Sequence, residues 1–178
     1  MSNAPEFSRP IPIDTIGAGA AEHAIEANPE ECQALAKRFA LKAIAQLKAR
    51  ADVRREGSEI FAEGTVWAEV TQSCVVTDEP IALAVEEEFS LRFVPEDAPK
   101  TDEEIELSAD ECETLSYSGG AIDLGEAAAE TVALTLDPFP RGPNADEALR
   151  EAGVISEEEA GPFGALKGLR DQLAAKKD

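Results

Sequence analysis

Two alternating stretches on either side of a short turn constrain the fold of this 178-residue chain more than any other feature. In "SEIFAEGTVWAEVTQSC", β-branched and aromatic residues alternate with polar ones, which predicts a strand from about Ile60 to Gln72. The stretch "PIALAVEEEFSLRFVP" predicts a second strand region. Because the segment "CVVTDEP" between them is turn-like, we expect the two strands to pair antiparallel.

Capping residues mark the start of two helices. Asn28 is a candidate N-cap, followed by Pro29 at the first helical position and by acids in the first turn. Asp123 is a candidate cap for a second helix that ends before Pro138 and Pro140. The apolar contacts expected of this second segment are Ile122, Ala129, Val132, Leu134 and Leu136.

The stretch that follows the first helix start has two conflicting interpretations. Residue propensity favours one long helix through "CQALAKRFALKAIAQLKARADVRRE". From Leu47 to Arg54, however, apolar and charged residues also alternate with the period of a strand. The residues alone leave both interpretations open.

The remaining segments are assigned from prolines and composition. Pro10 and Pro12 restrict "FSRPIPID" to an edge strand, and "GAGAAEHAIEANPEE" predicts a small flexible segment. Residues 95–113 predict a solvated acidic excursion. We therefore expect one domain over residues 1–145 and a helical, partly flexible tail over residues 146–178, with a break at Gly161-Pro162.

These elements together predict the α+β class. The sheet should be mainly antiparallel, with two or three helices packed against it, and its closure into a barrel is left open. Its strands are expected near Ile11, Leu47, Val66, Val85 and Leu115.

The net charge of −21 is unevenly divided along the chain. Residues 1–57 carry 8 acidic and 8 basic side chains, and the later residues carry 29 acidic and 8 basic ones. Such an acidic excess argues against extended contact with nucleic acid. Three irregularly spaced cysteines make no disulfide framework, and no stretch of about 20 apolar residues is present. A cytoplasmic protein that binds no membrane is therefore expected.

Cys74 follows a predicted strand, where a C-x-x-C pair would hold a metal or cycle a disulfide, but Thr77 stands at the second position. Cys32, Cys112 and His23, the last in a segment expected to be a loop, are too far away in sequence to complete a zinc site. Two interpretations of Cys74 remain, a lone reactive thiol or a small buried residue at a strand end. Phosphate-loop and nucleophile-elbow motifs are absent, so no catalytic residue, metal, cofactor or small-molecule substrate is expected.

Two charged clusters are candidate binding surfaces. Seven of the 16 basic residues fall within 19 positions and could contact RNA phosphates or pair with acids of the same chain; they are Lys37, Arg38, Lys42, Lys48, Arg50, Arg54 and Arg55. The acidic clusters could supply acid/base pairs or metal ligands, but with 37 acids in the chain a solvated surface is the simpler interpretation; they are Glu86, Glu87, Glu88, Asp102, Glu103 and Glu104.

Several motifs taken together resemble the YceD family, the large ribosomal RNA subunit accumulation proteins of bacteria and plastids. Many members carry C-x-x-C-L-x-P where this chain has Cys74, Thr77 and Pro80, and the Thr variant resembles the alphaproteobacterial branch. The likeness covers roughly residues 10–145, with "PFGAL" as a further short signature. Its most specific part is "DLGE", formed by Asp123, Leu124, Gly125 and Glu126.

The resemblance implies a non-enzymatic role in accumulation or processing of 23S rRNA. It also implies a helix near Pro29–Phe39 that gives way to a strand near Lys42–Arg54, which favours the alternation over the propensity. Two mechanisms are compatible with this role. The basic cluster could bind precursor rRNA, or the acidic surface from Asp78 to Glu113 could bind and shield a basic large-subunit ribosomal protein without touching RNA.

Overall fold

The computed structural model describes residues 5–96 and 113–154, which form seven strands and three α-helices. The strands are β1 (Pro10–Pro12), β2 (Ala21–Glu26), β3 (Ala43–Glu56), β4 (Glu59–Ser73), β5 (Pro80–Pro95), β6 (Glu113–Tyr117) and β7 (Ala121–Asp123). The helices are α1 (Pro29–Arg38), α2 (Leu124–Thr135) and α3 (Ala145–Glu151). The predicted α+β class is confirmed.

Five strands form one open sheet in the order β2-β3-β4-β5-β6. The β2–β3 and β3–β4 pairs are antiparallel, whereas β5 and β6 are parallel. A parallel pair needs a crossover of about a dozen residues or more, and the connection from β4 to β5 is shorter than that. These two neighbouring strands are therefore antiparallel as well. The sheet does not close into a barrel. The strand predicted near Ile11 is not part of it, because β1 pairs with β7 in a separate two-stranded sheet.

Strand β3 lies where propensity favoured a helix. Leu47, Ala49, Ala51 and Val53 are at most 3% exposed, and the residues between them point away from the core. Burying every second side chain against the helices stabilises the strand more than helix propensity stabilises the alternative, since propensities differ by less than about 1 kcal/mol per residue. The strand implied by the family resemblance is confirmed, and the single long helix is wrong.

Strand β2 corrects the expectation of a flexible segment before α1. Its six residues pair with β3 in the register from Ala21↔Val53 to Glu26↔Lys48. The segment has little strand propensity of its own, but the edge of β3 offers it a row of backbone partners. His23 therefore lies in a strand and not in a loop.

The chain divides into two compact units. The first comprises Met1–Gln72 and Ala82–Pro138, and α1, α2 and the sheet enclose its core. Helix α2 buries Ala129 and Val132, but Leu134 is 73% exposed, so its predicted apolar contact is wrong. The second unit comprises Ser73–Ile81 and Phe139–Asp178, and it contains α3. The domain boundary expected between residues 145 and 146 stays a prediction. The second helical pattern of the tail lies outside the described residues.

Candidate partner-binding surfaces

The "DLGE" motif joins the start of α2 to the N-terminal segment. The side chain of Asp123 accepts hydrogen bonds from the backbone N–H groups of Gly125 (3.0 Å), Glu126 (3.1 Å) and Arg9 (2.8 Å). These bonds satisfy two orphan donors at the helix start and the N–H group of Arg9, the residue just before β1. Asp123 is thus the N-cap predicted from the sequence, and it also holds β1 in place.

The other three residues of the motif are also structural. Leu124 is fully buried, and a Cβ atom on Gly125 would lie 2.3 Å from the carbonyl oxygen of Phe7. Only glycine allows the N-terminal segment to pass this close to α2. Glu126 forms an ion pair with Arg38 at 2.7 Å. The motif therefore specifies the packing of α2 against the N-terminal segment.

Arg38, predicted to belong to the basic cluster, is held inside a network of carboxylates. It pairs with Glu126, with Glu6 at 3.0 Å and with Glu130 at 3.8 Å. The hydrogen bonds that Arg38 donates to Glu126, and then the one to Glu6, keep the pKa of Arg38 above its usual value despite partial burial. A guanidinium with these partners has little free capacity for an RNA phosphate.

Arg54 and Arg55 are also engaged within the chain. Arg54 forms ion pairs with Glu56 and, at 3.3 Å, with Glu63, and its guanidinium lies 4.5 Å from the centroid of the Phe61 ring. Arg55 donates a hydrogen bond of 2.8 Å to the carbonyl of Gly57. Arg54 is therefore paired with acids of the same chain, whereas Arg55 is held by a backbone carbonyl.

Lys48 and Arg50 lie on the open face of the sheet, as the alternation of β3 predicted. The Lys48 ammonium is 5.8 Å from the centroid of Trp67, and Arg50 makes only a long contact of 3.8 Å with Glu22, where both side chains are over 60% exposed. These residues line a groove that sequence reasoning missed. The outward position of Trp67 in the alternating pattern of β4 was the signal for it.

Lys37 and Lys42 lie elsewhere, beside a second groove between the end of α1 and the start of β3. Apolar residues including Leu41 and Ile44 line this groove with them. The seven basic residues of the predicted cluster are thus divided among an internal ion-pair network, the open sheet face and the α1 groove. They do not form one continuous phosphate-binding surface.

The acidic cluster on β5 is exposed among the described residues. Glu86, Glu87 and Glu88 are exposed, with Glu87 on the opposite face of the strand from the other two. None of them forms an ion pair with any residue in the described part of the chain, whereas Arg92 on the same strand pairs with Glu59. The other predicted acidic group, Asp102, Glu103 and Glu104, lies outside the described residues.

Cys74 lies in the second unit at the end of β4 and is 2% exposed. The backbone N–H of Gly142 donates a hydrogen bond to its sulfur at 3.3 Å. This bond, followed by those from the Thr77 hydroxyl and backbone N–H, lowers the pKa of Cys74 to about 7. By contrast, burial and then the charge of Glu31 raise the pKa of the Cys32 thiol, and a backbone hydrogen bond from Leu47 offsets this only in part. The hydrogen bonds to Cys74 stabilise its thiolate form, which an apolar environment at the end of a strand would destabilise.

The turn around Cys74 is held by further polar contacts. The Thr77 hydroxyl oxygen also lies 3.1 Å from a carboxylate oxygen of Glu79, and Glu79 accepts from the side-chain amide of Asn144 at 3.1 Å. Pro80 is the first residue of β5, where a proline removes no ladder bond from the strand interior. Across residues 5–96 and 113–154, no three His, Cys, Asp or Glu side chains are grouped as metal ligands.

Comparison with known proteins adds the family. A family model described as "Large ribosomal RNA subunit accumulation protein YceD" matches residues 62–170, from β4 into the C-terminal part of the chain. Neither a curated protein nor a solved structure matches the chain. No helix in the described ranges is long and apolar enough to cross a membrane. Because the family model matches more than half of its residues, the chain belongs to the YceD family.

Proposed function

We propose that this protein is a non-enzymatic, cytoplasmic ribosome-biogenesis factor that supports accumulation or processing of 23S rRNA by binding a basic large-subunit ribosomal protein. The family description supports the role in large-subunit rRNA accumulation. The choice of a protein partner over an extended RNA contact is supported by the distribution of charge. In this mechanism the acidic protein shields its partner until the partner docks on rRNA.

The observation that carries the proposal is the contrast between the two charged clusters. Three arginines of the basic cluster, Arg38, Arg54 and Arg55, are engaged by other groups of the chain. Glu86, Glu87 and Glu88 are exposed and form no ion pair with a described residue. Lys37, Lys48 and Arg50 also remain exposed, but the net charge of −21 makes the charge that the protein presents to a partner mainly negative.

Glu86 and Glu88 share a face of β5 and therefore repel each other. A cationic partner removes this repulsion and adds attraction across the interface. Exposed ion pairs contribute about 0.2–1 kcal/mol each, so the loss of three of them changes affinity by roughly 3- to 150-fold. Their larger effect is on the association rate, which complementary charge increases at low salt.

Affinity purification from growing cells, with RNA and protein both identified and with and without nuclease, tests the proposal. We expect a basic large-subunit protein that remains bound after nuclease treatment. If nuclease releases every ribosomal component, RNA is the direct partner and the proposal is wrong.

Binding to the identified protein is then measured for a variant with Glu86, Glu87 and Glu88 changed to Gln. Its matched control carries the same loss of three charges at exposed acids of α3, Asp146→Asn, Glu147→Gln and Glu151→Gln. We expect the β5 variant to bind about 3- to 150-fold more weakly at low salt and the control to bind almost normally. Equal losses of affinity in both variants would show that binding depends on the net charge of the protein and not on a specific surface of β5.

A further inference from the structure

The groove on the open face of the sheet is formed by cross-strand neighbours. Glu26, Lys48 and Trp67 make one row across β2, β3 and β4, and Ala24, Arg50 and Thr65 make the next. Ala24 and Thr65 are small, so space of about 470 Å³ remains beside Trp67, with Lys48 and Arg50 at its margins. The groove therefore combines an indole ring, two cations and one carboxylate.

We propose that this groove binds a nucleotide of single-stranded RNA, with the base stacked on Trp67 and the adjoining phosphates contacted by Lys48 and Arg50. Aromatic side chains on an open sheet, flanked by cations, are a recurrent platform for unpaired bases. The inner neighbours of Trp67 on β4, Val66 and Ala68, form the core, so packing of the core does not require an indole at this outward position.

Both cations are able to change partners. The Lys48 side chain is exposed, and its ammonium lies over the indole ring, 5.8 Å from the centroid. A base that stacks on the ring displaces this ammonium toward the phosphate. The contact of Arg50 with Glu22 is long and exposed, and such pairs contribute little stability. Ligand binding therefore breaks no strong interaction within the protein.

The charge inside the groove favours an anionic ligand. The residues that line the groove include two cations and one carboxylate, Glu26, and this positive balance of the lining favours an anionic ligand, although Glu22 is in long contact with Arg50 outside the lining. Glu26 can accept a hydrogen bond from the exocyclic amine of a base. A nucleotide thus uses all four polar or aromatic groups of the groove, whereas a cationic side chain would use only Trp67 and Glu26.

The acidic neighbours of the groove limit the length of RNA that it binds. Beyond Arg50 the next cross-strand row contains Asp52 and Glu63, and beyond Trp67 on β4 lies Glu69. A longer strand would place its phosphates against these carboxylates. We therefore expect only about two phosphate contacts, which predicts a slope of about −1.4 for log K against log salt concentration. Binding by all seven basic residues would predict a slope of about −5.

Trp67 is the single tryptophan of the chain, so its fluorescence reports directly on the groove. Titration with a six-nucleotide single-stranded RNA of mixed sequence should quench this fluorescence, with the shallow salt dependence given above. Lys48→Ala and Arg50→Ala should each reduce the salt slope by about 0.7. Lys37→Ala, which removes the same charge from α1 outside the groove, should leave the slope unchanged.

Stacking is tested with a fluorescently labelled form of the same RNA. Trp67→Ala should weaken binding by about 5- to 150-fold, and Trp67→Phe, which keeps an aromatic face, should retain most of the affinity. Thermal melting of both variants separates loss of binding from loss of folding. Equal weakening by Phe and Ala in folded proteins would overturn the stacking role.

Two further results would overturn the proposal. One is the absence of quenching by RNA at low salt, and the other is quenching by a lysine-rich peptide in place of RNA, which would assign the groove to a basic protein. Glu86, Glu87 and Glu88 lie on the neighbouring strand β5 and do not line the groove, and we expect the variant neutralised at those positions to bind RNA at least as well as the wild type. Failure of the β5 surface and failure of this groove are therefore distinguishable.

Discussion

Gly125→Ala should destabilise the protein, although alanine is the better helix former. An added Cβ would lie 2.3 Å from the Phe7 oxygen and 3.0 Å from the Arg9 nitrogen, both of which are backbone atoms. Backbone cannot rotate away as a side chain can, so the segment from Phe7 to Arg9 must shift. That shift strains the bonds from Arg9 N–H to Asp123 and from Leu124 N–H to the Arg9 carbonyl.

The magnitude follows from three contributions. Overpacking costs about 1–3 kcal/mol, and two weakened hydrogen bonds cost about 1 kcal/mol each. The helix propensity of alanine offsets at most about 1 kcal/mol. The net loss of about 3 kcal/mol should lower the melting temperature by roughly 6–12 °C in a chain of this size.

Thermal and urea unfolding of Gly125→Ala and of Gly120→Ala measure this effect. Gly120 is the matched control, because a Cβ there meets no atom within 4 Å and its backbone is in an ordinary conformation. The control should be neutral or more stable by about 0.4–1 kcal/mol. If Gly125→Ala melts within about 2 °C of the wild type, the N-terminal segment moves freely and the close-approach argument is wrong.

Three more predictions concern the thiol, the first helix and the core. Thiolate absorbance, taken as the difference between wild type and Cys74→Ala, should titrate near pH 7, and Thr77→Val should move the midpoint upward because a donor to the sulfur is lost. The folded pKa of Cys74 lies below the usual 9.0, so the thiolate's contribution to stability is present above pH 9 and is lost as pH falls through 7. The stability difference between wild type and Cys74→Ala should therefore grow as pH rises. A difference that shrinks as pH rises would contradict the lowered pKa. Asn28→Ala removes a capping box and should cost about 1 kcal/mol in urea unfolding; no loss would mean that water replaces the cap. Leu47→Ala should lower the free energy of unfolding by about 2–5 kcal/mol, because Leu47 is fully buried. Leu134→Ala, at a side chain that is 73% exposed, should change it by less than about 0.5 kcal/mol. Equal effects of the two substitutions would show that the assigned burial is wrong.

Features that depend on neighbouring residues were predictable from the sequence. The caps at Asn28 and Asp123 work through N–H groups two or three residues away, so the local residues specify them. Strands β4 and β5 were also predictable from the sequence, because a strand that is buried on one face alternates apolar and polar residues with a period of two. Leu134 shows the limit of such patterns, since its helix position is predictable while its exposure depends on what packs there.

Features that depend on distant residues were not predictable. Strand β2 forms because β3 supplies backbone partners between 22 residues (Glu26↔Lys48) and 32 residues (Ala21↔Val53) later in the chain, which no local propensity records. Arg38 looked like part of a basic surface, yet the carboxylate that engages it, Glu126, is 88 residues away. Local charge counts cannot show whether a charge is free or already paired.

The sequence by itself determined the family, the two helix starts, the long strand pair and the uneven division of charge, because each is carried by residue identity or short-range periodicity. Only the tertiary structure decided which charges remain available to a partner. Folding engages Arg38, Arg54 and Arg55 within the chain, leaves Glu86–Glu88 exposed, and brings Lys48 beside Trp67 through the register of β3 on β4. Ion pairing and cross-strand contact act over distances in space, and the fold alone sets those distances.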